Sequence, residues 1–347
     1  MNVLSLFDGM SCGQIALTNL GCFPNKYYAS EVDKFAIQQT RHVFPNTIHI
    51  GDVTQVDVSK LDKIDLIIGG SPCQSFSFAG KQAGMATTEN IEVTDLDQYL
   101  DLKIMGFEFT GQSYLFWEYM RILTEVRKYN PNVKFLLENV VMSKKWEAVL
   151  TNAIGVEPVK INSNLVSAQN RKRLYWTNIA EITQPEDEGI FIRDILEDDV
   201  DEKYHVSDKA LEGMANRARV NAAKGNGFGA RMVSPEGKAN TLCVYRENRD
   251  HNLIVASRGR TGSDGVTRQH LEPRTDGKSN CLTTVQKDNL LIENRGTLRR
   301  LTPAECARLQ TVPDWYEWVV SDTQIYRMCG NGWTVRVIEH ILKNLFV

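Results

Sequence analysis

The stretch Asp65-Leu-Ile-Ile-Gly-Gly-Ser-Pro-Cys-Gln-Ser-Phe-Ser-Phe-Ala-Gly80 reads as an apolar strand that runs into a turn and presents one cysteine. Leu66, Ile67 and Ile68 form the continuous apolar run that a strand buried on both faces of a parallel sheet requires. Gly69, Gly70 and Pro72 stop it and leave Cys73 at its carboxyl end. Ligands of open α/β sheets bind in the crevice outside the carboxyl ends of the strands, so a cysteine there is placed to react. A lone cysteine is as readily a buried core residue, and this stretch by itself does not choose between the two.

Upstream, Val3 to Phe7 reads as a first strand, followed by the loop Asp8-Gly-Met-Ser-Cys-Gly13 and a helix-like run from Gln14 to Leu20 that Gly21 ends. Tyr27-Tyr-Ala-Ser30 reads as a second strand and Thr47 to Ile50 as a third, ending in Gly51-Asp52-Val53. With the opening stretch as the fourth strand, this βαβαβαβ order predicts a doubly wound parallel sheet. Glu31 lies 23 positions beyond Asp8 at the tip of the second strand, where an acid can accept hydrogen bonds from ribose hydroxyls. Asp52 is a second candidate for the ribose or adenine edge of a ligand. The loop lacks the full GxGxxG cradle, which argues against a dinucleotide oxidoreductase; a nucleoside cofactor without phosphates, such as S-adenosylmethionine, fits better. Strand-glycine-helix turns also occur in α/β proteins that bind nothing there.

Downstream, Ser75 to Gly84 is rich in small and hydroxyl residues, and Thr87 to about Gly111 is polar, acidic and without a sustained helical period. A long loop is expected there, of the kind that serves as a lid. A helix from about Ser113 to Lys128 feeds a fifth strand, Val133 to Leu137, which places Glu138-Asn-Val140 at a carboxyl end beside Cys73. In Ser167-Ala-Gln-Asn-Arg-Lys-Arg-Leu-Tyr-Trp-Thr-Asn178, Arg171 and Arg173 stand two apart before an apolar strand, so both would point to one face. They suit an anion or a carbonyl-rich ligand, or are a surface pair. Thr302, Pro303 and Glu305 spell a capping box with proline at the first helical position. Gly330 opens a last helix with Val335, Ile338, Ile341, Leu342 and Leu345 on one stripe, expected to return to the first lobe.

The composition is that of an ordinary globular protein, with 42% hydrophobic and 24% charged residues in 347. No apolar run reaches a bilayer-spanning length and the start has no signal-peptide pattern, so an intracellular protein is expected. Seven cysteines without a CxxC pair argue for a reducing compartment and against a disulfide framework or structural zinc. Charge is uneven. Residues 203–300 carry 18 Lys and Arg against 10 Asp and Glu, and the remainder carries 22 against 33. A polyanion-facing module on an acidic body has this asymmetry, as does chance clustering on a solvated surface. The same segment holds a repeat, Glu236-Gly-Lys-Ala-Asn-Thr-Leu-Cys-Val beside Asp276-Gly-Lys-Ser-Asn-Cys-Leu-Thr-Thr, each followed by a strand-like run. A small twisted sheet with polar loops is expected, its arginines, Arg246 and Arg258 among them, suited to base and phosphate contacts.

In order along the chain stand Leu6-Phe-Asp-Gly9, Gly70-Ser-Pro-Cys-Gln74, Glu138-Asn-Val140, Gln169-Asn-Arg-Lys-Arg173, Arg300-Leu-Thr-Pro-Ala-Glu305 with Arg308-Leu-Gln310, and Gly330-Asn331 with Thr334-Val335. With these motifs the sequence resembles the cytosine-C5 DNA methyltransferase family over nearly its whole length. It departs from the family's Phe-Ala-Gly-x-Gly-Gly at Asp8 and Ser11-Cys12. Asp8 and Trp333 look more like the eukaryotic de novo branch, whereas Phe78-Ala-Gly-Lys-Gln-Ala-Gly84 looks like the bacterial enzymes.

The resemblance implies an α/β fold, a Rossmann-like doubly wound sheet of the class I methyltransferase type with a smaller, mostly β target-recognition domain. Residues 1–185 would form the catalytic domain, 186–300 the recognition domain, and 301–347 the hinge and a C-terminal helix that returns. It implies methyl transfer from S-adenosylmethionine to C5 of a cytosine flipped out of double-stranded DNA. Cys73 would add to C6, Glu138 would bind the N3/N4 edge, Arg173 would hold O2 and Arg171 would support the ring or the nucleophile. The donor would meet Phe7, Asp8, Gly9, Met10, Ser11, Cys12, Glu31, Val32, Asp52, Val53, Pro72, Asn331, Gly332 and Trp333. DNA would meet Gln74, Ser77, Lys81, Gln169, Thr241, Arg246 and Arg258, with Leu282-Thr283-Thr284 an alternative to Thr241-Leu242 as the family's Thr-Leu pair. A monomer is expected, with a cognate restriction endonuclease as a partner. It would be cytoplasmic in a prokaryotic or phage-infected cell, or nuclear in a eukaryote. The alternatives are the same chemistry on RNA and a non-catalytic DNA-binding relative.

Overall fold

The computed structural model describes residues 1–73, 75–76, 84–205, 278–279, 299 and 300–346 in full, and the backbone of 253–261, 267–273, 280, 289–292 and 298. Seven strands form the main sheet in the order β3-β2-β1-β4-β5-β8-β6. They are β1 Asn2–Leu6, β2 Lys26–Ser30, β3 Ile48–His49, β4 Leu66–Gly70, β5 Lys134–Val140, β6 Val159–Asn162 and β8 Lys172–Thr177. The first five run parallel, as the apolar strand pattern predicts. The sheet is not parallel throughout, because β8 pairs antiparallel with both β5 and β6. That reversal positions Arg173. It brings the amino end of β8, with Arg173, to the edge where the carboxyl ends of β1, β4 and β5 lie.

The chain reverses its strand order between β1 and β4, the switch point at which a crevice opens in a doubly wound sheet. Helices cover both faces and split the core into two clusters. One holds Val3, Ile15, Ile68 and Ile338 under α1 (Cys12–Asn19) and α8 (Val335–Leu342); the other holds Leu4, Ile67, Trp117 and Leu137 under α4 (Phe116–Tyr129). The C-terminal helix does return to the first lobe, with Val335, Ile338, Ile341 and Leu342 fully buried. Its start differs from expectation. Gly330 and Asn331 end the preceding helix, α7 (Asp322–Asn331), and the chain breaks at Gly332-Trp333-Thr334 before α8.

The stretch expected as a structureless loop carries a helix, α3 (Leu96–Ile104). Asp95 caps it, accepting from the Gln98 amide at 2.8 Å, a start signal present in the sequence as Asp95…Gln98. The weak apolar period hid it, since only Tyr99 and Leu102 of this helix are buried. Tertiary contacts hold it instead. Glu118 of α4, 0% exposed, accepts from Tyr99 (2.5 Å), Lys103 (2.6 Å) and Arg121 (2.7 Å).

A second sheet, β10-β9-β12-β13, is antiparallel and built from β9 Leu253–Thr261, β10 Thr267–Pro273, β12 Asn289–Ile292 and β13 Leu298–Arg300. It lies inside the basic segment where a small sheet is expected. Between its strands, β11 (Ser279–Asn280) leaves to pair in parallel with β7 (Gln169–Asn170), directly ahead of the arginine pair. Ser279 and Asn280 of the second copy of the repeat thus dock on the main lobe. The capping box forms as the sequence predicts, at the start of α6 (Pro303–Leu309).

Candidate active site

Strand register assembles the site. Leu6 pairs with Gly69, Gly70 with Glu138, and Val140 with Arg173, so the loop after β1, the turn after β4, the end of β5 and the start of β8 leave the sheet at one level. Cys73, half-buried, sits in the turn after β4. Asn139, 1% exposed, fixes that turn through its side-chain amide, which donates to the Ser71 carbonyl (3.3 Å) and hydroxyl (3.1 Å). The sequence marks it only as the middle of Glu-Asn-Val.

Glu138 lies within β5 rather than after it. Its Oε1 takes the Arg173 Nε at 2.9 Å, and its Oε2 takes the Trp333 indole Nε1 at 3.1 Å. Gly70 is required here by close approach, because a Cβ would stand 2.8 Å from the Trp333 Nε1 and 3.1 Å from the Glu138 Oε2. Arg171 behaves differently from Arg173. It is 4% exposed and donates to the carbonyls of Gly332 (2.8 Å) and Gly330 (3.4 Å). The two guanidinium groups therefore grip different partners, where a shared ligand face is the sequence expectation. Burial pushes the Cys73 thiol up, the Glu138 carboxylate raises it further, and Arg173 and Arg171 pull it back.

The loop after β1 is compact, with Phe7, Gly9 and Ser11 all in the left-handed region (φ 59°, 57° and 61°). The Gly9 amide donates to the Glu31 Oε2 at 2.7 Å. The Glu31 Oε1 takes the amides of Val32 and Asp33 at 2.8 Å each. Val32 beside it is 71% exposed, an uncovered apolar side chain next to an acid with a lone pair to spare on Oε2, which suits a nucleoside. Asp52 is exposed and caps the turn at Val53, whose carbonyl takes Arg121 at 3.2 Å.

The side chains of Asp8, Met10, Ser11 and Cys12 turn inward, so this loop can offer a ligand its backbone but not those groups. Asp8 accepts from Ser11 and, at 2.9 Å, from Tyr27. Cys12 faces the Trp333 carbonyl, and burial pushes its thiol up to about 12. Burial also raises Asp8 from 3.8 to about 6, against the hydrogen bonds of Ser11, Ser5 and Tyr27. A carboxyl raised in the folded state contributes stability that is complete below its unfolded value and is lost as pH rises through the folded value. The stability difference between wild type and Asp8→Asn is therefore expected to move in favour of Asp8→Asn as pH rises from about 4 to above 6. Urea unfolding of both proteins across that range checks this; a pH-independent difference would contradict it.

Gln169 corrects a sequence expectation. It is 0% exposed and its amide donates to the Leu309 carbonyl at 3.1 Å, so it braces the chain interior where an exposed DNA contact is the sequence expectation. Gln74, Ser77, Lys81, Thr241 and Arg246 lie outside the described residues, and Arg258 is placed only as a backbone position in β9. Pro72 is half-buried next to Cys73, and Asn331 is exposed at the end of α7. Among the described residues there is no cluster of ligating side chains that could hold a metal ion.

A family model for C-5 cytosine-specific DNA methylase matches residues 1–101 and 161–347. The unmatched interval contains Glu138, whose place in the site rests on the strand register and its ion pair with Arg173. The Type II methyltransferase M.NlaX of Neisseria lactamica is 29% identical over 92% of this chain and 87% of its own length. The Type II methyltransferase M.HpaII of Haemophilus parainfluenzae is 28% identical over 99% and 88%. The solved structure of the Entamoeba histolytica methyltransferase EhMeth is similar in fold, with a TM-score of 0.63 at 13% identity, covering 100% of this chain and 98% of that one.

Proposed function

The chain belongs to the C-5 cytosine-specific DNA methylase family, and from that premise we propose that Cys73, Glu138, Arg173 and Arg171 are the machinery by which this DNA cytosine-5 methyltransferase works. The observation that carries the reading is the Arg173–Glu138 pair at 2.9 Å, held next to a half-buried thiol at the switch point of the sheet. Cytosine C5 is too weak a nucleophile to take a methyl group unaided. Addition of the Cys73 thiolate to C6 forms the S–C6 bond and pushes the C5=C6 electrons toward N3, giving an enamine-like ring. Glu138 binds the N3/N4 edge and favours a proton on N3 as charge develops, and Arg173 holds O2. Arg171 acts one step back, fixing the backbone at Gly330 and Gly332.

S-adenosylmethionine is the methyl donor in this reading, and it supplies an electrophilic methyl carbon that the activated C5 accepts. Glu31 would take its ribose, Val32 and Val53 would flank its adenine, and Phe7, Gly9, Pro72 and Asn331 would line its cleft. Water then takes the C5 proton, whose electron pair restores the C5=C6 bond as the S–C6 pair leaves with Cys73 as thiolate, and the N3 proton returns to Glu138. The base reaches this pocket only when flipped from the duplex, because C6 is attacked from above the ring. We assign 1–185 to catalysis, 186–300 to target recognition and 301–347 to the hinge and returning helix. The protein would act as a monomer beside a restriction endonuclease of the same specificity, in the cytoplasm of a prokaryotic or phage-infected cell. Among the described residues no helix is long and apolar enough to cross a membrane.

The test is transfer of labelled methyl from S-adenosylmethionine to cytosine-unmethylated plasmid DNA, with RNA in parallel and bisulfite mapping of the product. Label at C5 of cytosine within a recurrent DNA site is expected. Folded, donor-binding protein that labels no DNA would overturn the reading, and label confined to RNA would replace the substrate.

A further inference from the structure

The segment from Gly330 to Thr334 touches each part of the proposed site. The Gly332 carbonyl takes Arg171 at 2.8 Å, and the Trp333 carbonyl takes the Cys12 thiol of the loop after β1 at 3.7 Å. That loop packs directly on Gly332, where a Cβ would stand 3.2 Å from the Cys12 Sγ and 3.5 Å from the Met10 Sδ. Thr334 is fixed on the other side, accepting from Ser163 (2.8 Å) and donating to Gln310 (2.9 Å). The Trp333 side chain, 9% exposed, reaches across to the Glu138 Oε2 at 3.1 Å.

A buried indole N–H needs an acceptor, and here the acceptor is the carboxylate proposed to hold the target base. With Arg173 on one oxygen and Trp333 on the other, the carboxylate plane is set by two donors. Each oxygen keeps a lone pair for the amino edge of cytosine. One donor stands on β8; the other stands on the segment that lines the methyl-donor cleft. A shift of that segment on donor binding must therefore move, or steady, Glu138.

We propose that Trp333 is a positioning residue that links occupancy of the methyl-donor cleft to the orientation of Glu138, so that donor and target cytosine bind cooperatively. This rests on the reading of the site as a cytosine methyltransferase centre. Phenylalanine keeps an aromatic ring in part of that space without the N–H, so Trp333→Phe removes the hydrogen bond with the smallest loss of packing. Coupling is reciprocal and of the order of 5- to 150-fold between linked sites.

The experiment measures affinity for a duplex carrying the mapped site, with and without S-adenosylhomocysteine, in wild type and W333F. In wild type the ligand is expected to tighten DNA binding by about tenfold. In W333F the ratio of DNA affinities with and without S-adenosylhomocysteine should fall below about twofold, whatever the change in either affinity alone. Absence of coupling in wild type, or equal coupling in W333F, would overturn the proposal. A side chain that only fills space leaves the coupling intact. Wild type that binds S-adenosylhomocysteine but methylates no DNA would instead remove the underlying reading. A second measurement does not depend on W333F folding. In protein labelled with 15N-tryptophan, Glu138→Gln should shift one of the six indole N–H resonances, and six unmoved resonances would also overturn it.

Discussion

Cys73→Ser is expected to lower methyl transfer by roughly four orders of magnitude or more, with DNA binding and thermal stability close to wild type. The hydroxyl can occupy the space of the thiol in the turn after β4, and the Asn139–Ser71 contacts that hold the turn do not involve it. What is lost is nucleophilicity. The thiol is itself held in reserve, since burial first and the Glu138 carboxylate second raise it above its ordinary value. A cytosine edge that draws a proton onto N3 beside Glu138 offsets that carboxylate's charge at the moment when Arg173 and Arg171 still favour the thiolate. DNA containing 5-fluorocytosine at the mapped site should trap wild type as a covalent adduct visible by denaturing electrophoresis, because the fluorine blocks loss of the group on C5. Cys73→Ser should give no adduct. A persisting adduct would place the nucleophile elsewhere in the chain.

The parts of this site that were readable in the sequence are those set by strand ends. An apolar run that stops at glycine and proline locates Cys73 at a carboxyl end, and the same logic locates Glu31 and Glu138. What strand order cannot convey is direction. Arg173 reaches the edge only because β8 runs antiparallel to β5, and one short apolar strand reads the same either way. Nor can periodicity separate a side chain that faces the cleft from one that faces the core in an irregular loop. Asp8, Ser11 and Cys12 turn inward along a backbone path with left-handed φ at Phe7, Gly9 and Ser11, two of them non-glycine residues for which the sequence gives no such signal. Gln169 and Arg171 read as polar residues seeking a ligand, yet both satisfy backbone carbonyls from the C-terminal segment, more than 130 residues away. Helix α3 was hidden for the opposite reason. Its start signal was present, but its stability comes from Glu118 rather than from an apolar stripe.

Arg299→Met is expected to destabilise the protein by about 3–5 kcal/mol, the cost of leaving one member of a buried ion pair without the other. Arg299 and Glu305 are 1% and 0% exposed and meet through two bonds of 2.8 Å each. The carboxylate is saturated. Besides the guanidinium it accepts the Thr302 amide (2.8 Å), which closes the cap of α6, and the Glu197 amide (3.1 Å). Those partners belong to the two chain crossings between the sheets, the outgoing segment around 195–205 and the returning one from β13 into α6. Arg308 adds a bond from the returning crossing to the Ile195 carbonyl at 3.0 Å. Removing Arg299 leaves a charge surrounded by amides that alone do not neutralise it, and the crossings lose their common anchor. Urea unfolding measures the loss directly. The double variant R299M/E305L removes the stranded charge together with its partner and should recover part of that loss, short of wild type because the cap and the Glu197 amide lose their acceptor. A loss below about 1 kcal/mol in R299M would show that this pair does not anchor the crossings.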